Sequence, residues 1–524
     1  MRNALSAATL LCLAACSGPT TVRAIDDAPP VALAPAEPAN VPYNEALQTS
    51  AHNAFEREEP LLDQLDYDRV RSLELDIHDH KAGVDAPPGD WFVYHEDLPA
   101  NRSTSCNLLS DCARLLTAFH RSFPEHEVVT LWLDLKGNFE GSHDFAALDD
   151  EVSRLLGREN IITPSDLIAR CPGATDLRSA VTGSCSFPRL SELRGKFIVA
   201  VTGGTLCNSS DKVAQYRRGD RLMFLAPGVD SGCPVESYDD KPDVVMFNMV
   251  FEQHERAAQV RSKGLVARVY RGLFSFNNST DFLAAEAVGT NHLAMDMLNI
   301  LQDPWASTQS PNGFPFACDG CAPPVREPGA VIGVEASTGD LADNRDSFYF
   351  ASNESTPNGP SETWETMVSV PSSHVEPLAK GCLMARESDA ADSAFFAVCR
   401  PFDQHPPRAL IRAKTGEAVS IVEAATTDGF RPETAAFLKL SINGSDLIAS
   451  TSIDGTDWRE LARATVPVPL LHRGLAVASN GDSVKALFTN VTREGETLSA
   501  ASFSERGTIG VRAVGHLFDG VNRQ

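Results

Sequence analysis

Leu73-Glu74-Leu75-Asp76-Ile77-His78 is the stretch on which the fold turns. Its strict alternation places Glu74, Asp76 and His78 on one face of a strand and Leu73, Leu75 and Ile77 on the other. On a solvated edge strand those acids would simply face water. Inside a sheet covered by helices, two neighbouring carboxylates repel each other and resist desolvation unless a cation or a proton compensates, and an oxygen-ligated metal ion is the economical compensation.

The flanking sequence favours the covered sheet. Short apolar runs recur at Leu47–Asn53, Arg71–Ile77, Val128–Leu135, Phe197–Thr202, Leu222–Leu225, Val244–Asn248, Leu265–Val269 and His292–Met297, with helix-patterned segments such as Leu108–Phe119, Phe145–Leu156 and Phe282–Ala287 between them. Eight runs alternating with helices over about 250 residues predict an α/β domain of (β/α)8 barrel type across 42–303. In such barrels chemistry gathers where the strands end. Polar residues at those ends are His52 and Asn53, Asp134 and Lys136 on a shared face after Val128–Leu133, and His95 closing Trp91-Phe92-Val93-Tyr94. A lone histidine is more often structural than catalytic; two at strand tips beside Asn53, Glu74, Asp76 and Asp134 form a candidate acid/base pair next to hard oxygen ligands.

A Pro-, Gly- and Cys-rich bridge, 304–344, leads into a segment patterned for strands alone, 345–495, and a tail, 496–524. Asn443-Gly444 and Asp454-Gly455 between alternating runs signal hairpins, hence an all-β jelly-roll sandwich. Phe437 to Val491 resembles concanavalin-like modules, which implies either a carbohydrate ligand or a structural role.

At the other end, Met1-Arg2-Asn3 and the apolar run Ala4 to Ala15 read as a signal peptide, 1–15, too short to span a bilayer. Leu13-Ala14-Ala15-Cys16 resembles a bacterial lipobox, so Cys16 is the expected lipidation site and 16–41, with Pro19, Pro29, Pro30, Pro35 and Pro38, a tether. An ordinary secretory leader is the alternative. The expected location is outside the cytoplasm, on the outer membrane by a lipid anchor only.

Discounting Cys12 and Cys16, an even set of cysteines suits an oxidising compartment. Their order suggests Cys106–Cys112, Cys171–Cys185, Cys207–Cys233, Cys318–Cys321 and Cys382–Cys399, although order alone leaves connectivity open. The formal net charge of −25 excludes the basic footprint of a nucleic-acid binder.

Together, His52-Asn53-Ala54-Phe55, Arg71-x-x-Glu74-x-Asp76, Tyr94-His95, the Cys106 to Cys112 segment, His126 and Asp134-x-Lys136 resemble the secreted bacterial calcium-dependent phosphoinositide phospholipase C family, over residues 42 to 300. The resemblance implies a TIM barrel. It also implies Ca2+ held by Asn53, Glu74, Asp76 and Asp134, catalysis by His52 and His95, substrate contacts from Lys136 and Arg71, and a phospholipid substrate at a membrane surface. His52 beside the metal is favoured as base and His95 as acid. Ala51, Ala54 and Arg69 depart from the family pattern. His78, His80, His120, His126 and His143 read as structural or exposed. The alternatives are a glycerophosphodiester phosphodiesterase, for which the first strand lacks the usual His-Arg-Gly, and a non-catalytic surface-binding lipoprotein.

Overall fold

The computed structural model describes residues 41–519 apart from 58, 100–102, 219–220, 271–278, 297–315, 318–330, 338, 342–345, 355–360, 371–378, 403–404, 427–434, 482 and 510–513, all within one compact unit, Glu37–Gln524. Cys16, the leader, nearly all of the tether, the pair Cys318–Cys321 and much of the bridge lie outside the described residues.

Each of the eight apolar runs forms a strand, with ends moved by at most two residues: β1 Leu47–Ala51, β2 Ser72–His78, β3 Val129–Leu135, β4 Phe197–Thr202, β5 Phe224–Leu225, β6 Met246–Val250, β7 Val266–Tyr270 and β8 His292–Met295. They form a curled parallel sheet in which β6-β7-β8-β1-β2-β3-β4-β5 are successive neighbours. The remaining gap is spanned by two isolated parallel bridges, Leu225 with Val244 and Gly228 with Asn248.

The helices between strands are α1 Leu61–Asp66, α2 Leu109–Ser122, α3 Phe145–Leu156, α4 Pro164–Arg170, α5 Leu177–Thr182, α6 Lys212–Tyr216, α7 Ala257–Ser262 and α8 Ser279–Ala287. Local chemistry sets their limits. Asp144 caps α3 by accepting from the Ala147 N–H at 2.8 Å, and Gly157 ends it with φ +80°. α2 turns Leu109, Cys112, Leu115, Leu116 and Phe119 inward. Among the described residues no helix is long and apolar enough to cross a membrane.

All seven residues of β2 are buried, so the edge-strand reading of its acids fails. The polar face of β2 looks into the barrel. Toward the strand starts, Ser72 Oγ donates to Ser50 Oγ at 2.8 Å, accepts from Trp132 Nε1 at 2.9 Å and lies 3.0 Å from His292 Nδ1, whose Nε2 is 3.0 Å from Tyr43 Oη. Full burial holds the His292 imidazole down at about 3, with Arg268 adding to the effect.

The C-terminal half is two antiparallel sheets sharing one core. One runs Arg459–Thr465, Asp446–Ser452, Phe437–Asn443, Glu362–Ser369, Val484–Arg493, Val331–Ser337, Val514–Asp519; the other runs Ser420–Glu423, Arg408–Arg412, Phe395–Pro401, Lys380–Arg386, His472–Ala478, Phe348–Glu354, Ser504–Ile509. Ile332 and Val334 of the first sheet pack with Leu383 and Phe396 of the second. Asn443 and Asp446 pair across a two-residue turn with Gly444 at φ +63°.

Two boundaries differ from the sequence reading. Val331–Ser337, inside the expected linker 304–344, is already a sandwich strand; Gly329 and Gly333 made an apolar alternation look like linker. The expected tail 496–524 supplies Ser504–Ile509 and Val514–Asp519, each at the edge of one sheet, where a strand needs a partner on one side only.

The described cysteines are joined Cys106–Cys112, Cys171–Cys185, Cys207–Cys233 and Cys382–Cys399. The first sheet packs its outer face on the barrel: Asn490 Nδ2 donates to Ser122 O at 2.9 Å and Thr489 Oγ1 to Asp66 Oδ2 at 3.2 Å. That part of the sheet is closed to a sugar, and nothing else among the described residues of the sandwich supports a carbohydrate ligand.

Candidate active site

Strands β1, β2, β3, β7 and β8 end on one rim, and the site is built there. Asp76 and Asp134 are direct register partners on neighbouring parallel strands, and with Glu74 they offer carboxylate oxygens all within 4.8 Å of one another. Three acids so close require compensation.

Glu74 has it. Burial alone would raise its carboxyl, but the Arg268 guanidinium, donating to Oε2 at 2.7 Å, and then His52 and the Asn53 N–H hold it down at about 2. Arg268 is fully buried, donates to Asn248 Oδ1 at 2.6 Å and lies over the Trp132 and Tyr270 rings at 5.4 and 5.3 Å.

Asp76 is left short. Lys136 Nζ is 3.6 Å from its Oδ2 and 2.6 Å from Asp134 Oδ2, while Asp76 Oδ1 is buried with no hydrogen-bond partner. Burial pushes the Asp76 carboxyl well up; Lys136 opposes this, and Asp134 and Glu74 reinforce it. Lys136 is raised, because the attraction of Asp134 and Asp76 outweighs its own desolvation. A buried carboxylate oxygen without a donor beside two further carboxylates is the donor set that a hard divalent cation fits.

Asn53 follows β1 in the left-handed conformation at φ +47°, which asparagine tolerates better than most residues. Its N–H reaches Glu74 Oε2 at 3.1 Å and its Nδ2 reaches Glu56 Oε2 at 3.3 Å. The turn sets His52 beside the acids, with Nε2 3.7 Å from Glu74 Oε2 and Nδ1 3.0 Å from Asp296 Oδ1, the ring stacked on Tyr270 at 5.5 Å. Arg57 fastens the far side, donating to Asp296 O at 2.7 Å. His95 sits on the loop after Phe92–Val93, about one-third exposed, with Nδ1 3.8 Å from Glu56 Oε2. Glu56 thus faces both the Asn53 turn and His95, and burial raises its carboxyl against the pull of His95 and Arg57.

Beside Asp134 and Lys136 the rim opens a cleft of about 360 Å³ lined also by Thr202, Asp230, Asn248 and Tyr270.

No protein-family model matches the chain, and no curated protein does. Solved structures do. A calcium-dependent phosphoinositol-specific phospholipase C from a Pseudomonas species aligns at 24% identity over 53% of this chain and 95% of that one, with a TM-score of 0.44. A Ca2+-dependent phosphatidylinositol-specific phospholipase C from Streptomyces antibioticus aligns at 19% over 49% and 95%, with a TM-score of 0.39. A carbohydrate-binding module from Bacillus subtilis aligns at 17% over 29% and 83%, with a TM-score of 0.20. These are partial likenesses; the functional reading rests on the side chains.

The structure brings together His52, Asn53, Glu74, Asp76, Asp134 and Lys136, with His95 linked to them through Glu56. Arg71 is a correction. It lies just before β2, at the opposite end of the strand from the acids, 1% exposed, with Nε on Glu127 Oε2 at 2.8 Å and Nη1 on Leu65 O at 2.5 Å. It braces the base of the barrel and cannot reach substrate. Sequence reasoning also missed Asp296, Arg268, Glu56 and Arg57. Asp296 stands at the end of the eighth apolar run, so the rule that strand ends carry chemistry could have flagged it, and Arg268 stands out as a lone cation inside the seventh; nothing local marks Glu56 or Arg57.

Proposed function

We propose that this chain is a calcium-dependent phosphodiesterase of the phosphoinositide phospholipase C type, acting at a membrane surface on phosphatidylinositol-like lipids. The observation that carries the reading is the pairing of His52 with Asp296 on the same rim as an acidic trio whose Asp76 retains an unpartnered buried oxygen. Asn53, Glu74, Asp76 and Asp134 would hold the cation, which when bound supplies positive charge to a phosphodiester.

The remaining steps belong to the chain's own residues. Asp296 accepts a hydrogen bond from the Nδ1–H of His52, leaving Nε2 as the basic nitrogen. His52 removes the proton from the inositol 2-hydroxyl as its oxygen bonds to phosphorus. Glu74, 3.7 Å from Nε2, and Asp296 then both stabilise the imidazolium. His95, with Nδ1 3.8 Å from Glu56 Oε2, gives a proton to the glycerol oxygen as the phosphorus–oxygen bond breaks. The products are diacylglycerol and a cyclic inositol phosphate. Lys136, on the rim, would meet a phosphate or ring hydroxyl. Export through the leader and anchoring at Cys16 would set the site against a lipid surface, and the sandwich is read as concanavalin-like.

Phosphorus NMR of phosphatidylinositol vesicles incubated with the protein tests this: a cyclic phosphate signal is expected. Turnover of glycerophosphodiesters but not of the lipid would support the glycerophosphodiesterase alternative instead.

A further inference from the structure

The six residues of α1 are all buried, among them two carboxylates, Asp63 at 2% exposure and Asp66 at 0%. Carboxylates are seldom buried on so short a helix without strong partners. Here the partners come from the sandwich. Arg400 donates to both oxygens of Asp63, Nη1 at 2.7 Å and Nη2 at 2.5 Å, and the Val370 N–H adds a third bond at 3.2 Å. Asp66 accepts from Ser369 Oγ and from Thr489 Oγ1. A bidentate guanidinium–carboxylate pair out of water fixes orientation as well as distance. Between these two acids, Gln64 points the other way. Its Nε2 donates to Ala54 O and Glu59 O, both at 2.7 Å, and so holds both ends of the turn that follows His52 and Asn53.

We propose that the sandwich is a working part of the site: through Arg400 and Asp63 it sets α1, and through Gln64 it sets the left-handed turn that aims Asn53 and His52. Gln64 and Arg400 are positioning residues, acting through the turn without touching substrate. The cation readout below rests on the proposed function; the exchange readout does not.

The test compares Gln64→Leu, which cuts the helix from the turn, and Arg400→Gln, which cuts the sandwich from the helix, with wild type in the full chain. Amide exchange at Asn53, bonded to Glu74, and at Glu56, bonded to Asn53 O at 2.9 Å, should rise roughly tenfold in both, with β7 amides unchanged. Calcium affinity, by titration calorimetry, should weaken about 10- to 100-fold, as for lost supports of metal ligands. Where Arg400→Gln does not fold, Ser369→Ala with Thr489→Val removes the second contact and is judged in the same way. Unchanged Asn53 and Glu56 exchange in either variant, or equal acceleration throughout the barrel, would overturn the proposal. Wild type that binds no calcium would instead sink the functional reading and leave the exchange result standing.

Discussion

His52 Nδ1 lies 3.0 Å from Asp296 Oδ1, joining the end of the first barrel strand to the end of the last across 244 residues of sequence. The pair closes the rim. It also fixes which imidazole nitrogen is free, because a carboxylate at Nδ1 leaves the lone pair on Nε2.

Asp296→Asn should therefore fold normally yet lower kcat by roughly 10²- to 10⁴-fold, since the amide can bond Nδ1 without selecting the basic tautomer or stabilising the imidazolium. Steady-state kinetics beside a thermal melt checks this. An unchanged kcat would remove Asp296 from the mechanism.

Arg268 compensates Glu74 inside the barrel, so Arg268→Met should strand a buried carboxylate and cost about 3–5 kcal/mol of stability. Adding Glu74→Gln should restore most of that loss. Urea unfolding of the two variants measures it, and equal destabilisation in both would show that Arg268 acts through packing on Trp132 and Tyr270 alone.

The eight barrel strands were legible because each is a short apolar run bounded by polar residues, and β2 announced its buried acids by alternation. Hairpins around Gly444 were legible for the same kind of local reason. Arg71 was misplaced because it came with the Arg71-x-x-Glu74-x-Asp76 pattern, although it opens its run and so lies away from the strand tip. Asp296 was open to the strand-end rule as a polar residue, but its pairing with His52 exists only when β8 closes against β1. The linker boundary failed because glycines flank and interrupt Val331–Ser337, and the tail because edge strands carry weak patterns.

Burial keeps His292 neutral, at about 3 in the folded chain against about 6.5 unfolded. The unfolded chain takes up a proton that the folded one does not, so stability is full above about 6.5 and falls as pH drops toward 3. Between pH 7 and pH 5 this histidine should account for about 2 kcal/mol of lost stability. His292→Gln, though less stable at neutral pH, should show a correspondingly shallower loss in denaturant titrations at the two values; an identical loss would contradict the assignment.

A cation bound by the acidic trio stabilises the fold by mass action, about 2.7 kcal/mol at a hundredfold excess over its dissociation constant. The wild-type melting temperature should rise with calcium, and that rise should vanish in Asp76→Asn, which loses the carboxylate charge and one of its two oxygens. A calcium shift of equal size in the variant would place the ion elsewhere.

The most direct measurement is phosphatidylinositol turnover by the intact protein before chelation, after removal of calcium, and after its return. Metal-assisted attack by the inositol hydroxyl predicts cyclic inositol phosphate release that stops with the chelator and resumes with calcium; release that continues undiminished in the chelator would contradict it.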